Sequence, residues 1–171
     1  DRVIARALQV DAHRIKRVQN ETVAIYNTLL PKAEQQLLAA SSGEDELRNE
    51  LAMTGVATTA NDIKPAAYRP KVKRLKSQLE QAELSLKQLS DQNAKAMAIQ
   101  PDSQFMSSEQ KQKFEALVRQ LDECWQELGS MENQLDWLAV RWSQQVAKEA
   151  EATKSSPVQT VPAPSDTQAA T

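Results

Sequence analysis

The sequence predicts an all-α protein: a segmented coiled coil of three to four helices with linkers, followed by a disordered C-terminal tail. Apolar residues recur at alternating spacings of three and four, which is the pattern of the a and d positions of a coiled coil. Only 4% of the 171 residues are aromatic, and only three are glycine. The remaining composition, rich in Ala, Leu, Gln, Glu and Lys, is typical of long helices.

The first segment, residues 1–40, is predicted to be a coiled-coil helix that is broken near Pro31. Two polar residues, Asp11 and Thr22, interrupt its apolar seam. Proline lacks the amide N–H that an interior helical turn donates, so a break is expected there. The apolar seam positions expected to bind other helices in this segment are Ile4, Leu8, Ile15, Val18, Ile25 and Leu29.

Residues 41–70 are predicted to form a loop, a short helix and a linker. Residues 41–43 are Ser-Ser-Gly, and Ser42 is a suitable N-cap for a short helix that carries Glu44 in its first turn. Gly55 is expected to end this helix. Residues 56–70 contain Thr, Asn, Asp and Pro in a density that predicts a linker.

Two further coiled-coil helices are predicted at residues 71–98 and 108–150, separated by a loop at 99–107 and followed by the tail at 151–171. Ser107 and Gln110 have the spacing of a capping box for the last helix. The seam of the 71–98 helix consists of Val72, Leu75, Leu79, Ala82, Leu86, Leu89, Asn93 and Ala96, of which the five larger apolar residues Val72, Leu75, Leu79, Leu86 and Leu89 are expected to bind other helices. The seam of the last helix has nine consecutive apolar positions: Phe114, Leu117, Leu121, Cys124, Leu128, Met131, Leu135, Leu138 and Trp142.

These seams are narrow, which favours two or three helices lying side by side. An isolated amphipathic helix is marginal in water, so each seam needs a partner, either within the chain or on another chain. Asn93 is a polar seam position that either fixes the helix register or lies at a fraying end. Trp125 and Trp137 lie off the seam. Trp125 would widen the seam, which favours a trimer or an extra helix docked on the side, and the alternative is simple partial exposure.

The residues do not predict an enzyme. The sequence has no nucleotide-binding loop, metal-ligand cluster or nucleophile–base pair, so we expect no catalytic, cofactor or metal site. His13 is expected on a helix surface, and Cys124 is expected to be a buried structural thiol. With a formal net charge of −2 and no long apolar stretch, neither direct nucleic-acid binding nor membrane insertion is expected.

A short basic cluster lies at residues 69–76 and includes Arg69, Lys71 and Lys76. Clusters of this kind can act as nuclear import signals. Here apolar seam residues are interleaved with the charges, so the cluster can equally be the solvated flank of a helix that pairs with acidic residues.

Four motifs together resemble a known family. They are residues 12–22 (AHRIKRVQNET), 44–51 (EDELRNEL), 68–79 (YRPKVKRLKSQL) and 105–117 (FMSSEQKQKFEAL). Their order resembles the C-terminal coiled-coil region of the central-channel nucleoporin fifty-four family, which is fifty-seven in fungi. The chain has no Phe-Gly dipeptide, so the permeability-barrier part of such a protein is expected upstream of Asp1.

The resemblance implies a structural subunit of the nuclear pore complex in the nuclear envelope. It implies a heterotrimer with other coiled-coil nucleoporins, held by a scaffold nucleoporin, that anchors the central transport channel. The last helix is also similar to the end of the nucleoporin eighty-eight family, which implies a cytoplasmic-face RNA-export complex instead. A coiled-coil tether or adaptor outside the pore is the third alternative.

Overall fold

The computed structural model describes residues 2–102 and 104–155, and these residues are all-helical apart from two loops. The three helices are α1 (Arg2–Thr54), α2 (Pro65–Ile99) and α3 (Ser108–Ser155). The expectation of an all-α chain is therefore confirmed for the described residues. The predicted disordered tail lies outside them from residue 156 onwards, and residues 151–155 continue α3.

The helices run up, down and up, and each of them packs against the other two. At one end of the bundle Gln19 Nε2 in α1 donates to Gln100 Oε1, just after α2, at 2.7 Å. Near the start of α3, Gln110 Nε2 donates to Asn27 Oδ1 in α1 at 3.1 Å. Towards the other end, Gln145 Nε2 donates to the Thr58 carbonyl at 3.0 Å. Helix α3 therefore lies parallel to α1 and antiparallel to α2.

Helix α1 is continuous, so the predicted break near Pro31 and the predicted loop at residues 41–43 are both wrong. Pro31 is exposed, and the carbonyl that it leaves without an amide partner can bond water. Burial of Leu30 and Ala33 on either side outweighs that loss. Gly43 does not mark a turn; a Cβ there would come within 2.7 Å of Leu75 Cδ2, so this glycine allows α1 and α2 to approach closely.

The connection between α1 and α2 covers residues 55–64 and is shorter than the linker predicted for residues 56–70. Pro65 stands at the first position of α2, where its missing N–H has no helical partner to lose. Pro70 lies inside α2 on the exposed side. The prolines that suggested a linker thus occupy positions that a helix tolerates.

Helix α3 begins where the capping box predicted. Gln110 N donates to Ser107 Oγ at 3.1 Å, and Ser107 N donates back to Gln110 Oε1 at 3.2 Å. Each partner satisfies one of the amide groups that a helix start leaves unpaired. The described residues of the preceding loop are 100–102 and 104–107, close to the predicted 99–107.

The core is a single apolar column that all three helices share. On α1 the buried stripe follows the predicted seam at Val18 and Thr22 and then moves by one residue to Tyr26 and Leu30. Ile25 and the neighbouring Leu29 are consequently only half-buried. After Leu30 the steps of three and four residues resume at Ala33, Leu37 and Ala40, so the stripe shifts once and then keeps the coiled-coil spacing.

Candidate interaction surfaces

Most predicted seam residues of α2 and α3 face the other helices of the same chain. In this fold they are inside the bundle and closed to a second chain. Phe114 is half-buried against the same core. The buried members of the predicted seam are Val72, Leu75, Leu79, Leu86 and Leu89 in α2 and Leu117, Leu121, Cys124, Leu128, Met131, Leu135 and Leu138 in α3.

The start of α1 is different, because residues 2–17, here called the amino-terminal overhang, extend past the end of α2. Ile4 and Leu8 are 63% and 64% exposed, whereas Val18 is buried. Ile15 is half-buried at the boundary. Among the described seam positions of α1, only those in this overhang lack a neighbouring helix.

The amino-terminal overhang is also basic. Five of its side chains are Lys or Arg and one is acidic, Asp11, and His13 is exposed as expected. The basic residues are Arg2, Arg6, Arg14, Lys16 and Arg17. Two such overhangs from separate copies would repel each other, since like charges close together are destabilising.

The opposite end of the bundle is closed by contacts between α3 and the 55–64 loop. Trp142 Nε1 donates to the Ala60 carbonyl at 3.2 Å. Arg141 donates to the Gly55 and Ala57 carbonyls at 3.4 and 3.2 Å. The last predicted seam position, Trp142, therefore contacts the 55–64 loop.

The two off-seam tryptophans have different environments. Trp125 is half-buried against the core and widens the apolar face of α3. Trp137 is 60% exposed and lies under the Arg141 guanidinium, whose carbon is 5.6 Å from the ring centroid. Trp125 thus packs on the shared core, whereas Trp137 remains at the surface.

The α1–α2 interface contains a ladder of buried and half-buried polar pairs. Gln92 Nε2 donates to Thr22 Oγ1 at 2.9 Å, and Tyr26 OH donates to Asn93 Oδ1 at 2.8 Å. Burial raises the pKa of Tyr26, so its hydroxyl keeps the proton that it donates. Asn93 is thus bonded across the interface, and of the two alternatives this favours a role in fixing register.

The α1–α3 interface contains a buried carboxyl group, that of Glu44, which was predicted in the first turn of a short helix. Glu44 is only 1% exposed, and neither of its oxygens has a hydrogen-bond partner of normal geometry. Burial, followed by the nearby Glu127 carboxylate, raises its pKa to about 8, although Arg48 opposes the shift. The position could have been found from its spacing, since Glu44 follows Ala40 by four residues and precedes Leu47 by three.

Cys124 lies beside this carboxyl group and is buried. Burial, together with the charges of Glu44 and Glu127, raises its pKa to about 12. A thiol that stays protonated is a poor nucleophile. The environment is that of a structural thiol.

Ion pairs between helices surround the core on its exposed rim. Arg69 pairs with Asp136 at 2.9 Å, and the neighbouring Lys71 pairs with Glu50 at 2.5 Å. Lys76 pairs with Glu132 at 2.6 Å. The basic cluster at 69–76 therefore supplies the flank of a helix, with acidic partners in the same chain, and each exposed pair contributes about 0–1 kcal/mol.

Within the part of the chain that the structure describes, no group of three His, Cys, Asp or Glu side chains is arranged to hold a metal ion. No described helix combines the length and apolar character needed to cross a membrane. Comparison with protein families, curated proteins and solved structures gives no match for the chain.

Proposed function

We propose that this chain is a structural coiled-coil rod, a tether that keeps the elements joined at its two ends apart. The observation that carries the proposal is the path of the chain. Because three helices run up, down and up, α1 starts at one end of the bundle and α3 finishes at the other. Anything attached at residue 2 and at residue 155 is held at opposite ends.

The helix lengths support a rod and not a compact domain. Helix α2 has 35 residues, which corresponds to about 50 Å at 1.5 Å per residue. Helix α1 has 53 residues, or about 80 Å on the same scale. The core is one column deep along this length, which supports an elongated bundle.

Light scattering combined with small-angle X-ray scattering tests the rod. We expect a monomer of 19.0 kDa with a radius of gyration of about 25 Å, from a rod of roughly 90 Å. A compact domain of this size would give about 16 Å. A compact monomer, or a chain that is folded only as an obligate oligomer, would reject the proposal.

A second candidate is the three-chain nucleoporin assembly that the resemblance implies. The observation that favours it is the amino-terminal overhang, where Ile4 and Leu8 continue the seam of α1 without a partner. In this candidate the overhang starts the contact with other coiled-coil nucleoporins and a scaffold nucleoporin, and the chain anchors the central transport channel. The cytoplasmic-face RNA-export complex is the variant with different partners.

Co-expression separates the two candidates. The chain is produced alone and with the coiled-coil regions of the other two channel nucleoporins, and then with those of the cytoplasmic-face complex, and the molar mass is measured. A one-to-one-to-one complex that dissociates when Ile4 and Leu8 are both changed to Asp supports a nucleoporin assembly. If the chain remains a monomer in the presence of every partner, the nucleoporin candidates are rejected and the rod proposal remains.

A further inference from the structure

Glu44 breaks the rule that buried ionisable groups are paired. It occupies a core position of α1, with Ala40 and Leu47 buried on either side of it along the same stripe. Neither carboxyl oxygen has a hydrogen-bond partner of normal geometry, although the Glu127 carboxyl and the Cys124 thiol lie close by. A carboxylate without partners is strongly disfavoured in such a place, so the group is favoured there in its neutral, protonated form.

The cation on the same helix is engaged elsewhere. Arg48 Nη1 lies 2.8 Å from Asp45 Oδ1, and Arg48 Nη2 is bonded to Glu127. Arg48 is about half exposed, so its charge is screened by water. The positive charge of Arg48 therefore offsets only part of the rise that burial causes in the pKa of Glu44.

The groups that face Glu44 from α3 are acidic or neutral. Glu127 and Cys124 both influence its protonation, and Glu123 lies next to Cys124 in the chain. At the level of Glu44, α2 contributes the apolar Leu75, which lies against Gly43. The charged α2 residues Lys71 and Lys76 are paired with Glu50 and Glu132.

We propose that Glu44 is a proton-controlled latch between α1 and α3: the neutral carboxyl lets α3 dock, and its ionisation loosens α3 from α1. The α1–α2 hairpin stays paired, because its hydrogen bonds from Gln92 to Thr22 and from Tyr26 to Asn93 lie away from the carboxyl. The latch does not depend on whether the chain acts as a rod.

The sign of the pH effect follows from the direction of the shift. The pKa of Glu44 is raised from 4.5 to about 8 in the folded state. Below pH 4.5 both the folded and the unfolded states hold the proton, and the stabilisation is complete. Between these pKa values only the folded state holds it, so stability falls as pH rises. Above about pH 8 both states are ionised, and the dependence on this group ends.

The first test compares the melting temperature of the wild-type chain with that of Glu44→Gln between pH 4.5 and 9. We expect the wild-type Tm to fall by about 10 °C relative to the variant over this range. Glu46→Gln is the matched control, since Glu46 is exposed two residues away on the same helix, and it should keep the wild-type profile. Parallel profiles for wild type and Glu44→Gln would overturn the latch.

The second test reads the α1–α3 contact itself. Cys124 is the single cysteine, so its labelling rate with a neutral thiol reagent reports α3 release. Between pH 6 and pH 8 the ratio of wild-type to Glu44→Gln rates should rise about tenfold per pH unit. Any negative charge on Glu44 raises the pKa of Cys124 and slows labelling of the wild type, so a faster wild-type rate reports opening and not thiol chemistry.

Two further measurements keep the test decisive. If Glu44→Gln does not fold, Glu44→Leu replaces it, since it fills the site without a titrating group. The carbon-13 shift of the wild-type Glu44 carboxyl then gives its titration midpoint directly, and a midpoint near 4.5 would overturn the proposal. Helicity by circular dichroism should persist at pH 8.5, because complete unfolding in step with labelling would contradict release of α3 alone.

Discussion

The α1–α2 and α1–α3 interfaces are built from similar apolar residues but treat their polar residues differently. In the first, polar side chains form pairs across the interface, as in Tyr26 with Asn93 and Gln92 with Thr22. In the second, the carboxyl group of Glu44 is buried with no hydrogen-bond partner of normal geometry. Satisfied polar pairs fix a unique register, whereas an unpaired polar group makes a contact conditional. The comparison indicates that the hairpin is the specified unit and that α3 is the element whose docking can be changed.

The largest effect is expected from Leu128→Asp combined with Leu135→Asp. Both side chains are almost fully buried, and each buried, unpaired charge costs several kcal/mol. We expect cooperative thermal unfolding of α3 from the bundle to be lost, as followed by tryptophan fluorescence, since all three tryptophans lie on α3. The exposed Val140→Asp is the control, and a normal melt for the double variant would refute the core assignment of α3.

A large effect of opposite sign is expected from Glu44→Leu. At pH 7 the wild-type chain must keep a proton that the unfolded chain releases, which costs on the order of 3 kcal/mol. Leu removes this cost, so the urea midpoint should rise at pH 7 and much less at pH 4.5. An equal change at the two pH values would mean that the gain comes from packing alone. The α1–α3 contact would then be as independent of pH as the α1–α2 contact.

A smaller effect separates two helical glycines. Alanine at Gly129 has open space around its Cβ and should stabilise α3 by about 0.5–1 kcal/mol. Alanine at Gly43 gains the same helix propensity but must displace Leu75, which costs about 1–3 kcal/mol. Chemical denaturation should therefore rank Gly129→Ala above wild type and Gly43→Ala below Gly129→Ala. A reversed order would show that α1 and α2 are not in close contact at Gly43.

The smallest effect is expected from Tyr26→Phe, which removes one hydroxyl from the α1–α2 ladder. The loss should be about 1 kcal/mol, because the bond to Asn93 disappears and the amide keeps only part of its hydration. A double-mutant cycle with Asn93→Ala measures the coupling between them. Thr28→Val is the control, since the Thr28 hydroxyl bonds only to a carbonyl of its own helix. Zero coupling would remove the register role of Asn93.

Much of α2 and α3 could be predicted because their seams follow one regular spacing and their ends carry local signals, such as the capping box at Ser107. Helix α1 could not. Pro31 and Gly43 are helix breakers by local rules, and only contacts distant in sequence, such as that between Gly43 and Leu75, make the continuous helix favourable.

The partner of each seam was also beyond the reach of the sequence. A heptad seam specifies a helical neighbour but not the chain that supplies it, and both pairings were open until the three helices were seen to cover each other. Glu44 was missed for a related reason. Its identity as an acidic residue after Ser-Ser-Gly indicated a helix start, whereas its spacing from Ala40 and Leu47 placed it in the core.

An odd number of passes along one axis has a mechanical consequence. If tension is applied at the two ends of the described chain, it enters through α1 and leaves through α3, which run parallel from opposite ends. The load then reaches the α1–α3 contact in shear, along the helix axis, and many side chains resist it at once. Glu44 lies directly in that load path, so the pulling force needed to separate the helices should decrease when its proton is lost.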